Sequence, residues 1–135
     1  MLTLITSAIL SFMIFFPVVV ATSVFKVLDE KQSSEFLRIF FPKYYLFGTL
    51  LSSLGLIISA LKQDTVSLLF FVFITLAFIF SRQVLMPMIN KAKDEAKDEA
   101  KDIKFKKLHK LSVFINFLQI VCCLVLLVIY LKSYS

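Results

Sequence analysis

Four apolar stretches separated by polar segments dominate the pattern of the chain. No charged residue occurs within 1–25, and further apolar runs occupy 44–61, 66–81 and 111–131. A transmembrane helix needs about 20 such residues. The third run reaches that length when 82–86 is added, with the Arg82 stem buried and its guanidinium at the interface. The pattern therefore predicts spans at about 2–24, 44–61, 66–86 and 111–131. Only KQDTV separates the second span from the third, which makes them an antiparallel hairpin. The first run lacks the positive leading segment of a signal peptide and reads as a retained helix. The expected fold is all-α: a single membrane domain, residues 1–135, forming an antiparallel four-helix bundle.

Two spans carry a second pattern. In the fourth, His109, Ser112, Asn116, Gln119 and Cys123 recur at intervals of 3, 4, 3 and 4, which is one stripe on a helix. At ~1.5 Å of rise per residue, His109 lies roughly 34 Å from Lys132, near one interface, with Asn116 ~10 Å and Gln119 ~15 Å deeper. An unsatisfied amide at that depth costs several kcal/mol, so the stripe must face protein or water. Phe114, Leu118, Val121 and Val125 are left for lipid. In the second span, Gly48, Ser52, Gly55 and Ser59 form a seam of small residues, of the kind that lets backbones approach closely in a bilayer. Ser7 and Ser11 sit one turn apart in the first. Helix packing and interhelical hydrogen bonds, worth ~0.6–2 kcal/mol each, are the structural role of such residues.

The polar segments between spans also have helical character. SSEFLRIFF places Phe36, Leu37, Phe40 and Phe41 on one face before Pro42, which predicts a short helix lying in the interface and ending at the proline. The alternative is a simple continuation of span two. The segment 90–107 repeats Ala-Lys-Asp-Glu and reads as a solvated helical spacer. It has favourable spacings at Asp94–Lys97 and Asp98–Lys101 and like charges at Lys93–Lys97 and Glu95–Glu99.

Composition agrees: 59% of residues are hydrophobic, sixteen are phenylalanine and two are glycine, with mean hydropathy +0.90. The net charge of +6 is distributed unevenly. Thirteen of the fifteen Lys/Arg fall in the first and third loops, whereas Lys62 and Lys132 are alone on the other side. The positive-inside rule then places both termini outside and both long loops in the cytoplasm. The expected location is a bacterial inner (plasma) membrane, with which the usage of Lys, Ile and Phe is compatible. The cations line a membrane face, so the lipid bilayer rather than nucleic acid is the expected partner.

Catalytic signatures are missing from the spans. They hold no carboxylate, and the chain has no Ser-His-Asp set, HExxH or glycine-rich phosphate loop. Cys122, Cys123, Met86 and Met88 are ligand types that suit Cu(I), but Cys123 lies ~21 Å along the helix from His109, so the two cannot share a site. Adjacent cysteines in an apolar run read as fillers. A haem on His109 alone remains an alternative, and no cofactor or metal is expected. A polar face of Arg82, Asn90, His109, Ser112, Asn116 and Gln119 is the candidate ligand-binding region. Four short helices leave little lumen, so a transporter of this size is expected to form a homo-oligomer or join a larger membrane complex.

The segments VFKVL, FFPKYY, MPMIN and FKKLHKLSVFINFLQ resemble the four-helix membrane family of transmembrane protein 205 and its bacterial relatives, a domain of unknown function. The resemblance runs over about 16–127. Its marks are Phe25 with Leu28, Phe41-Pro42 with Tyr45, Pro87 with Asn90, and Phe105-x-x-Leu108-His109 with Ser112 and Asn116. Thr22 departs from it, standing where a proline is expected. The resemblance implies a membrane bundle loosely tied to drug or metal resistance and secretion. It also implies a functional or assembly surface at the cytoplasmic helix ends, built from Phe41, Tyr45, Arg82, Asn90, His109, Ser112 and Asn116. More distantly, the layout looks like copper-resistance proteins and the four-helix protoporphyrinogen oxidase, although the histidine the oxidase needs in span one is missing. The leading expectation is a non-enzymatic membrane protein, acting in solute transport or resistance or as an accessory subunit. A redox or haem-pathway role is the alternative.

Overall fold

The computed structural model describes residues 1–96 and 99–133, with side chains at 1–96 and 102–133. Four helices follow one another: α1 (Leu2–Val27), α2 (Glu30–Leu61), α3 (Thr65–Asp94) and α4 (Glu99–Ser133). Each is long and apolar enough to cross a membrane, and no strand occurs among the described residues. They form an antiparallel bundle in which α1 and α3 each lie between α2 and α4. Large apolar side chains such as Leu4, Leu50, Leu69 and Phe117 project outward on every helix. That surface is a liability in water and a contact face in hydrocarbon. The chain is thus a four-helix, multi-pass membrane protein. Its basic end carries the α1–α2 and α3–α4 connections; the other carries the termini and the α2–α3 turn.

Local chemistry sets the tight turns. Leu28 is extended and Asp29 caps α2 in a capping box, its carboxylate accepting from the Gln32 N–H at 2.8 Å. After Leu61 the chain reverses through Gln63 at φ 56°, a left-handed helix cap in which the Asp64 N–H donates to the Ser59 carbonyl at 3.0 Å. Asp64 then caps α3, accepting from the Ser67 N–H at 3.1 Å.

The α2–α3 contact depends on the small seam. Gly48 faces the Phe78 ring and Gly55 the Phe71 ring, a heptad apart on each helix and in opposite directions. A methyl group on Gly48 would stand 2.7 Å from Phe78, and one on Gly55 would come closer still to Phe71. The Ser52 and Ser59 hydroxyls donate to their own helix, to the Gly48 and Gly55 carbonyls at 2.8 Å each. These serines therefore act by being small and leave the interhelical contact to the rings.

One expectation requires correction. No separate interfacial helix precedes span two: α2 runs unbroken from Glu30 to Leu61 with Pro42 inside it. Pro42 has no N–H to offer the Arg38 carbonyl one turn earlier, and the helix tolerates that loss. The Pro42 carbonyl itself accepts from Arg82 Nε of α3 at 3.0 Å, which ties α2 to α3 at this point. At Thr22, which stands where the resemblance has a proline, α1 is regular, and the hydroxyl donates to the Val18 carbonyl at 2.7 Å within the helix. The irregularity lies one turn earlier, in a π-turn at Phe16–Val20 where the Ala21 N–H reaches the Phe16 carbonyl. Pro17, lacking an N–H, sits in that turn. A second π-turn, Ser81–Leu85, precedes Pro87 in α3. The expected charge pairings at Asp94–Lys97, Asp98–Lys101, Lys93–Lys97 and Glu95–Glu99 lie outside the described residues.

Candidate functional site

The polar stripe of α4 turns inward. Ser112, Gln119 and Cys123 are buried and Asn116 is half-buried, and the same spacing continues through buried Leu126 and Tyr130. Phe114, Val121 and Val125 are exposed on the opposite side and Leu118 is half-buried. Gln119 is 0% exposed and donates through Nε2 to the Ile74 carbonyl of α3 at 3.0 Å. It ties α4 to α3 near the middle of the bundle.

Toward the basic end the helices part. From Phe16 onward no Cα of α1 comes within 8 Å of one in α4, although the first half of α1 packs closely against that helix. The π-turn at Pro17 marks the change, and single π-turns inside α-helices are frequent at functional sites. The separation leaves a cavity of about 700 Å³ reached by all four helices, within the range of small-molecule sites. Met13, Phe16, Phe117 and Ile120 supply apolar walls deep in it, while Ser33, Ser34, Asn90 and Lys93 stand among the polar groups toward its mouth.

One wall is a polar cluster joining α2 and α4. The Tyr45 hydroxyl, fully buried, lies 3.4 Å from Ser112 Oγ and accepts from Asn116 Nδ2 at 3.5 Å. Both bonds are long and therefore weak. Asn116 Oδ1 is buried without a hydrogen-bond partner. At the mouth, the Arg38 guanidinium forms an ion pair with Asp94 of α3 and donates to the Asn90 carbonyl at 3.4 Å, which clamps α2 to α3. Lys93 Nζ stands 5.3 Å from the centroid of the Phe105 ring, and His109 stacks on the same ring at 6.2 Å.

Of the six residues singled out by sequence, the structure brings Asn90, His109, Ser112 and Asn116 to this cavity. Arg82 and Gln119 lie outside it. Arg82 spends its donors on the Pro42 carbonyl and on Gln83 Oε1, at 3.0 and 2.8 Å, and Gln119 on Ile74. Gly48, Ser52, Gly55 and Ser59 lie in the α2–α3 seam. Met86 lines the cavity, whereas neither cysteine does. Sequence reasoning missed the contributions of Ser33, Ser34, Arg38, Lys93 and the Pro17 region. The proline inside an otherwise uninterrupted apolar span was the one available signal for the last. Among the described residues no three His, Cys, Asp or Glu side chains gather to hold a metal.

A family model described as a domain of unknown function (DUF4149) matches residues 4–98. The match takes in α1, α2 and α3 and stops before α4, which supplies His109, Ser112 and Asn116. No similar protein was found among curated proteins, and none among solved structures.

Proposed function

The chain belongs to the family defined by that domain of unknown function, and from this premise we propose that it is a non-enzymatic membrane protein binding a small molecule in the cavity at its basic end, in the service of solute transport or resistance. The carrying observation is the cavity itself. It gathers Asn90, His109, Ser112 and Asn116 from two helices, and it leaves a buried amide oxygen of Asn116 with nothing to accept from. Thr75 Oγ1, Ser81 Oγ and Gln119 Oε1 are likewise buried without a partner, and of the four only Asn116 Oδ1 belongs to a residue lining the cavity, where an occupant could supply one. The sequence resemblance to the transmembrane protein 205 family, with its ties to resistance and secretion, supports the same reading. So does the lopsided distribution of cations, which favours a cavity mouth on the cytoplasmic side with both termini outside. Assembly into a homo-oligomer or a larger membrane complex accompanies this reading, since a bundle of four helices leaves little lumen.

Native mass spectrometry of the protein extracted in mild detergent from its own membranes tests the proposal. The expected result is one non-covalent small molecule per chain, lost when Asn116→Leu and His109→Ala are combined in a chain that still folds. A bare chain, or one found only with a different subunit, would overturn ligand binding in favour of an accessory role. A Soret band in the purified protein would overturn it in favour of the haem-pathway alternative.

A further inference from the structure

Resting on the ligand-binding reading of the cavity, we propose that its occupant is a membrane phospholipid, which enters sideways between α1 and α4 and is held by its phosphate at Lys93, Asn90 and His109. The portal is the first argument. From Phe16 onward α1 stands away from α4, and the rims of the gap are Phe25 on one side and Val113 and Phe117 on the other, 61%, 54% and 59% exposed. In a bilayer those rims meet acyl chains. A polar solute would shed its water to pass them, whereas a lipid tail exchanges one apolar surface for another.

The second argument is how polarity changes with depth. At the mouth, Lys93, the Asn90 amide and the His109 ring have no hydrogen-bonding protein partner among the described residues, and no described carboxylate pairs with Lys93. An ammonium, an amide and an imidazole that line one mouth with unspent donors suit a phosphate oxygen. Ser112 and Asn116 lie ~4.5 and ~10 Å further along α4, where the glycerol and ester groups of that lipid would run. Beyond them Met13, Phe16 and Ile120 leave only apolar wall.

Charge selects the headgroup. Arg38 at the mouth is neutralised by Asp94, which leaves Lys93 and Glu30 as the charges lining the cavity that have no ion-pair partner among the described residues. A cation and a carboxylate together match a headgroup that carries a phosphate and an ammonium, as phosphatidylethanolamine does.

Delipidated protein in detergent, titrated separately with phosphatidylethanolamine, phosphatidylglycerol and inorganic phosphate under native mass spectrometry, tests this. The expected result is one phospholipid per chain, phosphatidylethanolamine preferred, with no uptake of inorganic phosphate at matched concentration. Lys93→Gln is expected to cut lipid affinity about tenfold, the loss of one charge-assisted hydrogen bond. Glu30→Gln is expected to erase the headgroup preference while leaving binding. Ala21→Trp, which fills the cavity, should abolish the adduct; Val113→Trp, which adds bulk at the lipid-facing rim, repeats the test should the first variant misfold. Inorganic phosphate binding as well as lipid would overturn the phospholipid assignment while leaving a solute-binding cavity intact. Equal uptake of both lipids, unaffected by Glu30→Gln, would overturn the ammonium part. Adducts unchanged in Lys93→Gln and the tryptophan variants would mark annular lipid and overturn the site.

Discussion

Gly55 carries more of the fold than its size suggests. Its missing side chain is the space that the Phe71 ring occupies, and Phe71 is fully buried. In hydrocarbon, helix association draws on close packing rather than on expulsion of water, so a backbone-to-ring contact is where stability is concentrated. Gly55→Ala forces that ring to move or the helices to part and is expected to cost about 1–3 kcal/mol, the usual range for overpacking a filled core. Reversible unfolding in mixed micelles would measure it. Phe71→Leu in the same chain should recover part of the loss, because it removes the atoms the new methyl meets. If Gly55→Ala left stability unchanged, the seam would be looser than the structure shows. The polar members of the seam behave differently, since Ser52 and Ser59 are satisfied within α2 and contribute by being small.

At the scale of the helices, the prolines decide what the bundle can hold. Pro17 sits in the π-turn after which α1 leaves α4, and Pro42 is absorbed into α2 without a break. Pro17→Ala restores an N–H and allows α1 to continue as a regular α-helix toward α4. The variant is expected to be at least as stable as the parent while binding its ligand more weakly. Spin labels at residues 20 and 113, in a chain whose native cysteines are replaced by alanine, should report a shorter separation than in the parent. An unchanged separation would show that packing, and not the proline, holds the helices apart. The same residues show how much was legible in the sequence. Apolar runs and the spacing of three and four gave the four helices, the glycine seam and the inward face of α4, because each is written locally in one helix. Proline spacing alone left open whether Pro42 stops a helix or is tolerated within one, since the answer lies in how α2 packs against its neighbours. The cavity was half legible: periodicity gives the direction a side chain faces, but not how far away the neighbouring helix stands. For that reason the inward direction of Asn116 was legible, Gln119 was grouped with it although it ties α4 to α3, and the approach of Ser33, Ser34 and Lys93 from other helices was not.

For the molecule as a whole, the asymmetry of charge carries the functional argument furthest. Thirteen Lys/Arg are gathered on the stretches flanking the α1–α2 and α3–α4 connections, whereas Lys62 and Lys132 stand at the other end. Short loops rich in Lys and Arg stay on the cytoplasmic side, so the basic end and the cavity mouth are expected there. Single cysteines at residue 63, in the α2–α3 turn, and at residue 95, just beyond α3, test this in a chain whose native cysteines are replaced by alanine. A membrane-impermeant maleimide applied to intact bacterial cells should label position 63, and label position 95 only after the cells are broken open. The opposite pattern would invert the molecule and place the mouth outside. The distinction bears directly on the ligand, because the orientation determines which leaflet the gap between α1 and α4 opens into. With the expected labelling, Lys93 and His109 lie at the headgroup level of the cytoplasmic leaflet, and a lipid or solute taken from that leaflet reaches them without crossing the bilayer. With the inverse labelling, the same residues would sample the outer leaflet, and the cavity would serve uptake from outside.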